Sequence, residues 1–446
     1  MFLYNRGFPI AGQPMHLLLP RWLIAIEPRG VLTDHALVID GERIVDLLPA
    51  PAALARYPEA EVTRLPEHAL LPGLINLHAH SAMTLLRGYG DDLALMTWLN
   101  DHIWPAEGKH VSDEFVFDGT LLAIAEMIAG GTTCANDMYF HHGAVARAAL
   151  SSEFRMMVGC SILEFPNAYA ANADGYIRRA LECIDEFRGE NLVGFTLAPH
   201  APYTVSDDTF RRVITLADEL QIGIHCHIHE TQDEIAGSLK QHGVRPLARL
   251  AGLGLLGNHL IAAHMVHTTD EEIALLARHG VHVSHNPASN LKLSSGFARI
   301  ADQLAAGINV GIGTDGAASN NKLDLFAELR LAALLAKGAS GNPEALPAWQ
   351  ALEMATLNGA RALGWDDRIG SLRPGKQADV IAVDLSAAGT QPCYDPVSHL
   401  VYAADRNQVS HVWIAGRNVY AAHRHLSLDL ADAQARARRW QSRISA

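Results

Sequence analysis

Cysteine is scarce in this chain. Five are spread over 446 residues (Cys134, Cys160, Cys183, Cys226, Cys393), and no two form a Cys-x-x-Cys pair. An odd, scattered set excludes a disulfide framework and reads as reduced thiols in a cytosolic protein. Long apolar runs are missing as well. No stretch approaches the ~18 apolar residues that mark a membrane helix. The apolar Met15–Leu19 is interrupted by Pro20 and Arg21, and no small-residue cleavage site follows. No membrane partner is expected, and the cytoplasm is the expected location. Runs of Lys and Arg are absent too, and the net charge is −13, which argues against a nucleic-acid partner. Gly311 and Gly313 stand without a Gly-x-Gly-x-x-Gly or Gly-Lys-Ser/Thr setting, so they are not a phosphate cradle. What remains is 49% hydrophobic and 19% charged, a globular profile with ample core, and unusually rich in histidine, with 24.

The histidines are placed in a pattern. His78 and His80 close the apolar run Leu70–Leu77. Side chains two apart on a strand point the same way, so both imidazoles can grip one ion. Ile224-His-Cys-His-Ile-His-Glu230 follows a second apolar stretch, His264 ends Leu260–Ala263, and Asp315 ends Val310–Thr314. A parallel barrel gathers the carboxyl ends of its strands in one mouth. Three imidazoles and a carboxylate there make a hydrolytic metal site. His225, His227 and His229 share a strand face on spacing alone, so the pattern does not choose among them; His225, deeper in, reads as a core histidine.

Eight strand segments alternate with helical ones between about residues 72 and 372. They are Leu70–Leu77, Thr132–Asn136, Arg155–Ile162, Leu192–Ala198, Ile222–His227, Leu260–His264, Val281–Ser284 and Asn309–Thr314. Eight such units indicate an α/β fold with a parallel (β/α)8 barrel. Short β segments lie on both sides, Trp22–Ile26, Ala36–Asp40 and Arg43–Leu47 before it, Ala378–Asp384 and His411–Tyr420 after it. They can pair into one small discontinuous β-sandwich domain. The expected division is 1–68 and 374–426 for that domain, 69–373 for the barrel, and 427–446 for a terminal helix.

With these motifs in place, the chain resembles the amidohydrolase superfamily, and within it the 5'-methylthioadenosine/S-adenosylhomocysteine deaminases. The resemblance covers nearly the whole length. Its specific carriers are Pro72–His80, Ala198-Pro-His-Ala-Pro-Tyr203, His227-Ile-His-Glu230, Ser284–Lys292 and Gly313–Ser319. It implies a barrel with a composite β-sandwich. It also implies His78, His80, His227 and Asp315 as metal ligands, Glu230 as the acid/base, and His264 as the group that orients or polarises the attacking water. Trp98, Glu107, His200 and Ser319 become substrate contacts, with Glu107 on the ribose hydroxyls. Relatives active on S-adenosylhomocysteine often carry arginines after the third strand. Here that strand ends Val158-Gly-Cys-Ser-Ile-Leu-Glu-Phe165, and the next arginines, Arg178 and Arg179, fall in a helix. Methylthioadenosine or adenosine is therefore favoured. Family members are commonly homo-oligomers, and one is expected here.

The expected cofactor is one Zn2+ per subunit, with Fe2+ the alternative, because imidazole and carboxylate ligands do not decide between them. A bridging lysine of the binuclear kind is absent at the fourth strand, where His200 sits. Bound metal brings a water pKa down to about 7, and Glu230 can pass its proton to a purine ring nitrogen while hydroxide attacks the neighbouring carbon. Asp315 can take the remaining proton. Rival readings are guanine deamination or chlorotriazine hydrolysis on the same scaffold, and a non-catalytic metal-binding barrel. Base-flipping zinc deaminases are disfavoured, because Pro392-Cys393 is followed by Tyr-Asp-Pro rather than the second half of Pro-Cys-x-x-Cys. His285 and Asn290 are expected to brace the mouth, and His141, His142 and His267 to be structural.

Overall fold

Period-2 and buried apolar segments alternate with amphipathic helices along most of the chain, and in the computed structural model this alternation closes into a barrel. Residues 15–93 and 95–445 are described; the first fourteen residues lie outside them. The eight barrel strands are Leu74–Ala79, Thr132–Tyr139, Arg155–Ile162, Val193–Pro199, Gly223–Ile228, Leu260–His264, His282–His285 and Asn309–Ile312. They pair in sequence order, each parallel to the next. The seam between the last strand and the first is closed by single bonds rather than a ladder. The N–H groups of Thr314 and Asp315 both donate to the His78 carbonyl, at 3.1 and 2.9 Å. Asn76 adds a side-chain bond to each polar group of Thr314.

The flanking β segments join in one nine-stranded sheet, five strands from before the barrel and four from after it. Glu61–Pro72 lies at the junction, parallel to His16–Ile24 on one side and antiparallel to Val380–Asp384 on the other. This corrects the reading of Leu70–Leu77 as one strand. The apolar run is continuous, but it crosses between two sheets at Gly73. A side chain at Gly73 would lie 2.1 Å from Thr133 Oγ1, so the crossing requires glycine. The sheet also runs through Pro72, beyond residue 68.

Helix ends follow local capping chemistry. Thr269 and Glu272 form a reciprocal capping box on Asp270–His279, and Ser112, Ser206 and Thr231 cap the helices that follow them. The terminal helix, Leu430–Ile444, docks on the first long barrel helix through Trp440 and Arg436, which both donate to Asp118.

The barrel floor is tied to the sheet by one buried ion pair. Arg155 opens the third barrel strand and forks onto both carboxylate oxygens of Asp379, at 2.8 and 2.9 Å. The two side chains are 0% and 2% exposed. Breaking such a pair on one side leaves a buried charge alone. Arg155→Met is therefore expected to cost about 3–5 kcal/mol of stability, whereas adding Asp379→Leu recovers most of the loss. Denaturant unfolding of both variants measures the difference.

Candidate active site

Five polar groups meet at the carboxyl end of the barrel. His78 comes from the first strand, His80 from the residue just past it, His227 from the fifth, His264 from the end of the sixth, and Asp315 from three residues past the eighth. Ligating atoms of His78, His227 and His264 lie within 4.8 Å of one another, as do those of His78, His80 and Asp315. All five residues are buried or nearly so.

Three of the four imidazoles are held in one tautomer. His80 Nδ1 contacts the Met138 carbonyl at 2.6 Å, and His227 Nδ1 the His200 carbonyl at 2.8 Å. A carbonyl only accepts, so each Nδ1 carries the proton and each Nε2 presents a lone pair. Yet those two Nε2 atoms face each other at 3.3 Å. The Nε2 atoms of His78 and His264 are buried with no hydrogen-bond partner at all. His264 Nδ1 is tied to Asn290 Oδ1 at 2.8 Å, and His78 Nδ1 to His225 Nε2 at 2.9 Å. Converging lone pairs with no donor between them fit a bound cation, and this donor set suits zinc.

Asp315 completes the cluster. Its Oδ1 stands 3.4 Å from His78 Nε2 and 3.2 Å from His80 Nε2. Ser289 donates to Oδ2 at 2.6 Å and the Gly316 N–H to Oδ1 at 2.8 Å. Burial pushes the Asp315 carboxyl up, but the two histidines outweigh it and hold it well below its usual range. Burial likewise lowers His80, but its hydrogen bond and charge interaction with Asp315 prevail to raise it to about 9, so a cation bound at Nε2 would displace a proton shared with that carboxylate. His78, fully desolvated, falls to about 4.

Beside the cluster opens a cavity of about 440 Å³, onto which His80, His200, Glu230, His264, Asp315 and Ser319 all face, together with Trp98 and Glu107. Glu230 Oε2 lies 3.9 Å from His264 Nε2, and burial pushes its carboxyl up. The N–H groups of His229 and Glu230 each donate to Glu234, both at 2.9 Å, so this turn is fixed from behind. Glu107 accepts from the Tyr139 hydroxyl at 2.5 Å, and burial raises its carboxyl despite that bond.

One expectation fails here. His229 does not share the face of His225 and His227. Its φ is +56°, which ends the strand alternation, and its ring turns away to accept from the Leu247 N–H. His225 is a core histidine, held between Asn136 and His78. His285 borders a separate small cavity, while Asn290 braces His264. His267 is bonded to Gln232 and the Ser295 carbonyl, and His142 to Tyr169. The sequence reading missed Tyr139, Ser289 and Glu234. Their only signal is position, Tyr139 at the end of the second strand and Glu234 four residues past Glu230.

A model of the amidohydrolase family matches residues 69–419. A 5-methylthioadenosine/S-adenosylhomocysteine deaminase of Teredinibacter turnerae is 45% identical over 95% of this chain and 96% of its own. The protein of the same name from Thermodesulfovibrio yellowstonii is 41% identical, over 93% and 95%. Among solved structures, an adenosine deaminase from Xanthomonas campestris with bound zinc superposes with a TM-score of 0.95 at 49% identity, covering 97% of this chain and 98% of that one. An atrazine chlorohydrolase from Arthrobacter aurescens, complexed with zinc, does so at 0.89 and 25% identity, covering 95% and 99%.

Gly313 makes the cluster's packing testable. A Cβ there would sit 2.4 Å from Asn286 Oδ1 and 2.9 Å from His78 Cβ. Overpacking of this kind costs about 1–3 kcal/mol, and here it pushes directly on a histidine of the cluster. Gly313→Ala is expected to fold with unchanged helix content but to retain far less metal after zinc loading and dialysis. Atomic emission on the purified variant reads the result.

Proposed function

The chain belongs to the amidohydrolase family, and on that footing we propose that it is a zinc-dependent aminohydrolase of adenine nucleosides. Its favoured reaction takes 5'-methylthioadenosine and water to 5'-methylthioinosine and ammonia, with adenosine or S-adenosylhomocysteine as further substrates. The observation that carries this reading is a buried carboxyl, Glu230, beside a cage of imidazole lone pairs, both facing one nucleoside-sized cavity. The catalytic unit is the barrel, from Leu74 to about residue 373, with the β domain built from the strands between His16 and Pro72 and those after residue 374. No helix among the described residues is long and apolar enough to cross a membrane, and a cytoplasmic homo-oligomer is part of the proposal.

His78, His80, His227 and Asp315 hold the zinc, which when bound supplies the Lewis acidity that makes water nucleophilic near neutral pH. His264 orients that water through Nε2, its own Nδ1 fixed by Asn290. Glu230 moves a proton from water to the adenine ring nitrogen beside the carbon under attack, and its raised pKa suits holding that proton. Asp315 takes the second proton and returns it to the exocyclic amino group, which leaves as ammonia. Glu107 holds the ribose hydroxyls, kept in place by Tyr139. Trp98, His200 and Ser319 line the nucleoside's path. Much of the remaining lining is apolar, Phe140, Leu163 and Phe165 among it, and suits a thioether methyl group. None of the cavity-lining residues described is Lys or Arg. Arg179 stands outside, its guanidinium 4.7 Å over the ring of Tyr169, which itself lines the cavity. A carboxylate tail finds no cation there.

Loss of adenine absorbance tests the reading. Zinc-loaded enzyme is expected to turn over methylthioadenosine faster than S-adenosylhomocysteine, and a chelator is expected to abolish the activity until zinc is returned. Equal rates on both nucleosides would refute the tail argument, and turnover of guanine alone would refute the nucleoside. Glu230→Gln should keep its zinc while kcat falls by roughly 10²–10⁴. Glu107→Ala should act mainly through KM.

A further inference from the structure

Lys292 ends the helix Pro287–Lys292, and each of its three ammonium protons has its own acceptor. It donates to Asp91 Oδ1 at 2.7 Å, to the Ala318 carbonyl at 2.9 Å, and to Asn321 Oδ1. Three protons on three acceptors complete what an ammonium can offer. The acceptors belong to two separate stretches of chain. Ala318 and Asn321 flank Ser319 and Asn320 in the turn beyond the last barrel strand. Asp91 belongs to the segment after the first barrel strand, four residues before the helix Leu95–Trp98. Its second oxygen is held as well, because Asn321 Nδ2 donates to Asp91 Oδ2 at 2.8 Å.

The chain around Asp91 has little to fix it from within. Gly88, Gly90 and Asp92 have φ of 74°, 76° and 64°, three left-handed residues out of five. No strand ladder or helix runs through them. Just beyond come the residues that form one wall of the cavity, among them Trp98, Ile103, Trp104 and Glu107. The helix that ends in Lys292 also carries Ser289, which donates to Asp315, and Asn290, which braces His264. Lys292 therefore joins the frame of the metal cluster to the root of the substrate wall, beside a second tie in which Arg87 donates to the Asn321 carbonyl.

We propose that Lys292 is a positioning residue that, by clamping Asp91 to the turn at Ala318–Asn321, sets where the wall carrying Trp98 and Glu107 stands over the cavity. Lys292 does not itself line the cavity, so it acts through Asp91. The proposal rests on the nucleoside deaminase reading, since the wall's task is to hold the nucleoside. The Lys292–Asp91 pair is partly exposed, at 21% and 35%, and pairs of that kind contribute little to global stability. The effect belongs in substrate affinity.

The test uses zinc-loaded wild type, Lys292→Met and Asp91→Asn, with methylthioadenosine as substrate. Displacing binding groups by even an ångström is costly, so Lys292→Met is expected to raise KM on the order of tenfold or more. Its kcat, zinc content and melting temperature should stay near wild type. Asp91→Asn, which keeps the shape and removes the charge, should move KM in the same direction by less. Trypsin cleavage after Lys109, in the wall helix Trp104–His110, should be faster in Lys292→Met than in wild type. Unchanged KM in both variants overturns the proposal. So does a joint fall of kcat, zinc content and melting temperature, which marks a merely structural lysine. If wild type itself fails to turn over the nucleoside, the functional reading is what fails. The tryptic rate then still decides the clamp.

Discussion

The seam of the barrel is the contact on which the rest of this site depends. Seven of the eight strand junctions are ordinary parallel ladders, and the eighth is made by two N–H groups on one carbonyl, that of His78. Those donors are Thr314 and Asp315. Closing the barrel and bringing the only carboxylate of the cluster onto His78 are therefore the same event. Asp315 holds φ at +62° to do this, and His264 holds +75°. Non-glycine residues in that region cost on the order of 1–3 kcal/mol each. The strain sits at the two strand ends where the groups must turn inward.

That arrangement is expensive before any ligand arrives. Four imidazoles are stripped of water, and burial drives His78, His200 and His227 toward the neutral form. The surrounding contacts then settle which nitrogen is free in three of the rings. Carbonyls of Met138 and His200 fix His80 and His227 and Asn290 fixes His264, while His225, with Asn136 behind it, positions the ring of His78 without fixing its tautomer. Each partner is itself anchored in a neighbouring strand end or in the helix just beyond one. The result is a set of lone pairs that cannot relax toward other donors, which is how a protein keeps a metal site preorganised. A bound cation would offset that cost.

Much of this was legible in the sequence, for reasons that differ by residue. His78, His80, His264 and Asp315 each follow a buried apolar stretch, and strand ends of a parallel barrel converge by topology, so order along the chain sufficed. His225 and His229 were harder. Period 2 put both beside His227, and only a backbone turn at His229 removes it. The run Leu70–Leu77 misled for the opposite reason. Hydrophobicity reports burial, and both sheets bury their strands there, so the crossing at Gly73 left no polar mark. Tyr139 and Ser289 left none either, because a hydroxyl that orients a carboxylate looks in sequence like any other.

Trp98 and Glu107 show where local periodicity ends. Nine residues of regular α-helix turn through about 900°, which would place the two on opposite faces. Both nevertheless line the cavity, because the turn Leu99–Ile103 is a wider π-helical one. The lining positions step from 98 to 103 and then to 107, five residues followed by four. A π-turn of this kind is an interruption that commonly appears at functional sites, and here it re-aims one end of a helix at a substrate. The consequence reaches the choice of reaction. The barrel and its metal cage serve deamination in one relative and chlorohydrolysis in another, so they supply a nucleophile without selecting its target. On the proposed reading, selection lies with the cavity wall, where the buried carboxyl of Glu107 and a lining without Lys or Arg limit what fits. The identity of the substrate is thus written in the irregular segment after the first strand, while the chemistry is written in the strands.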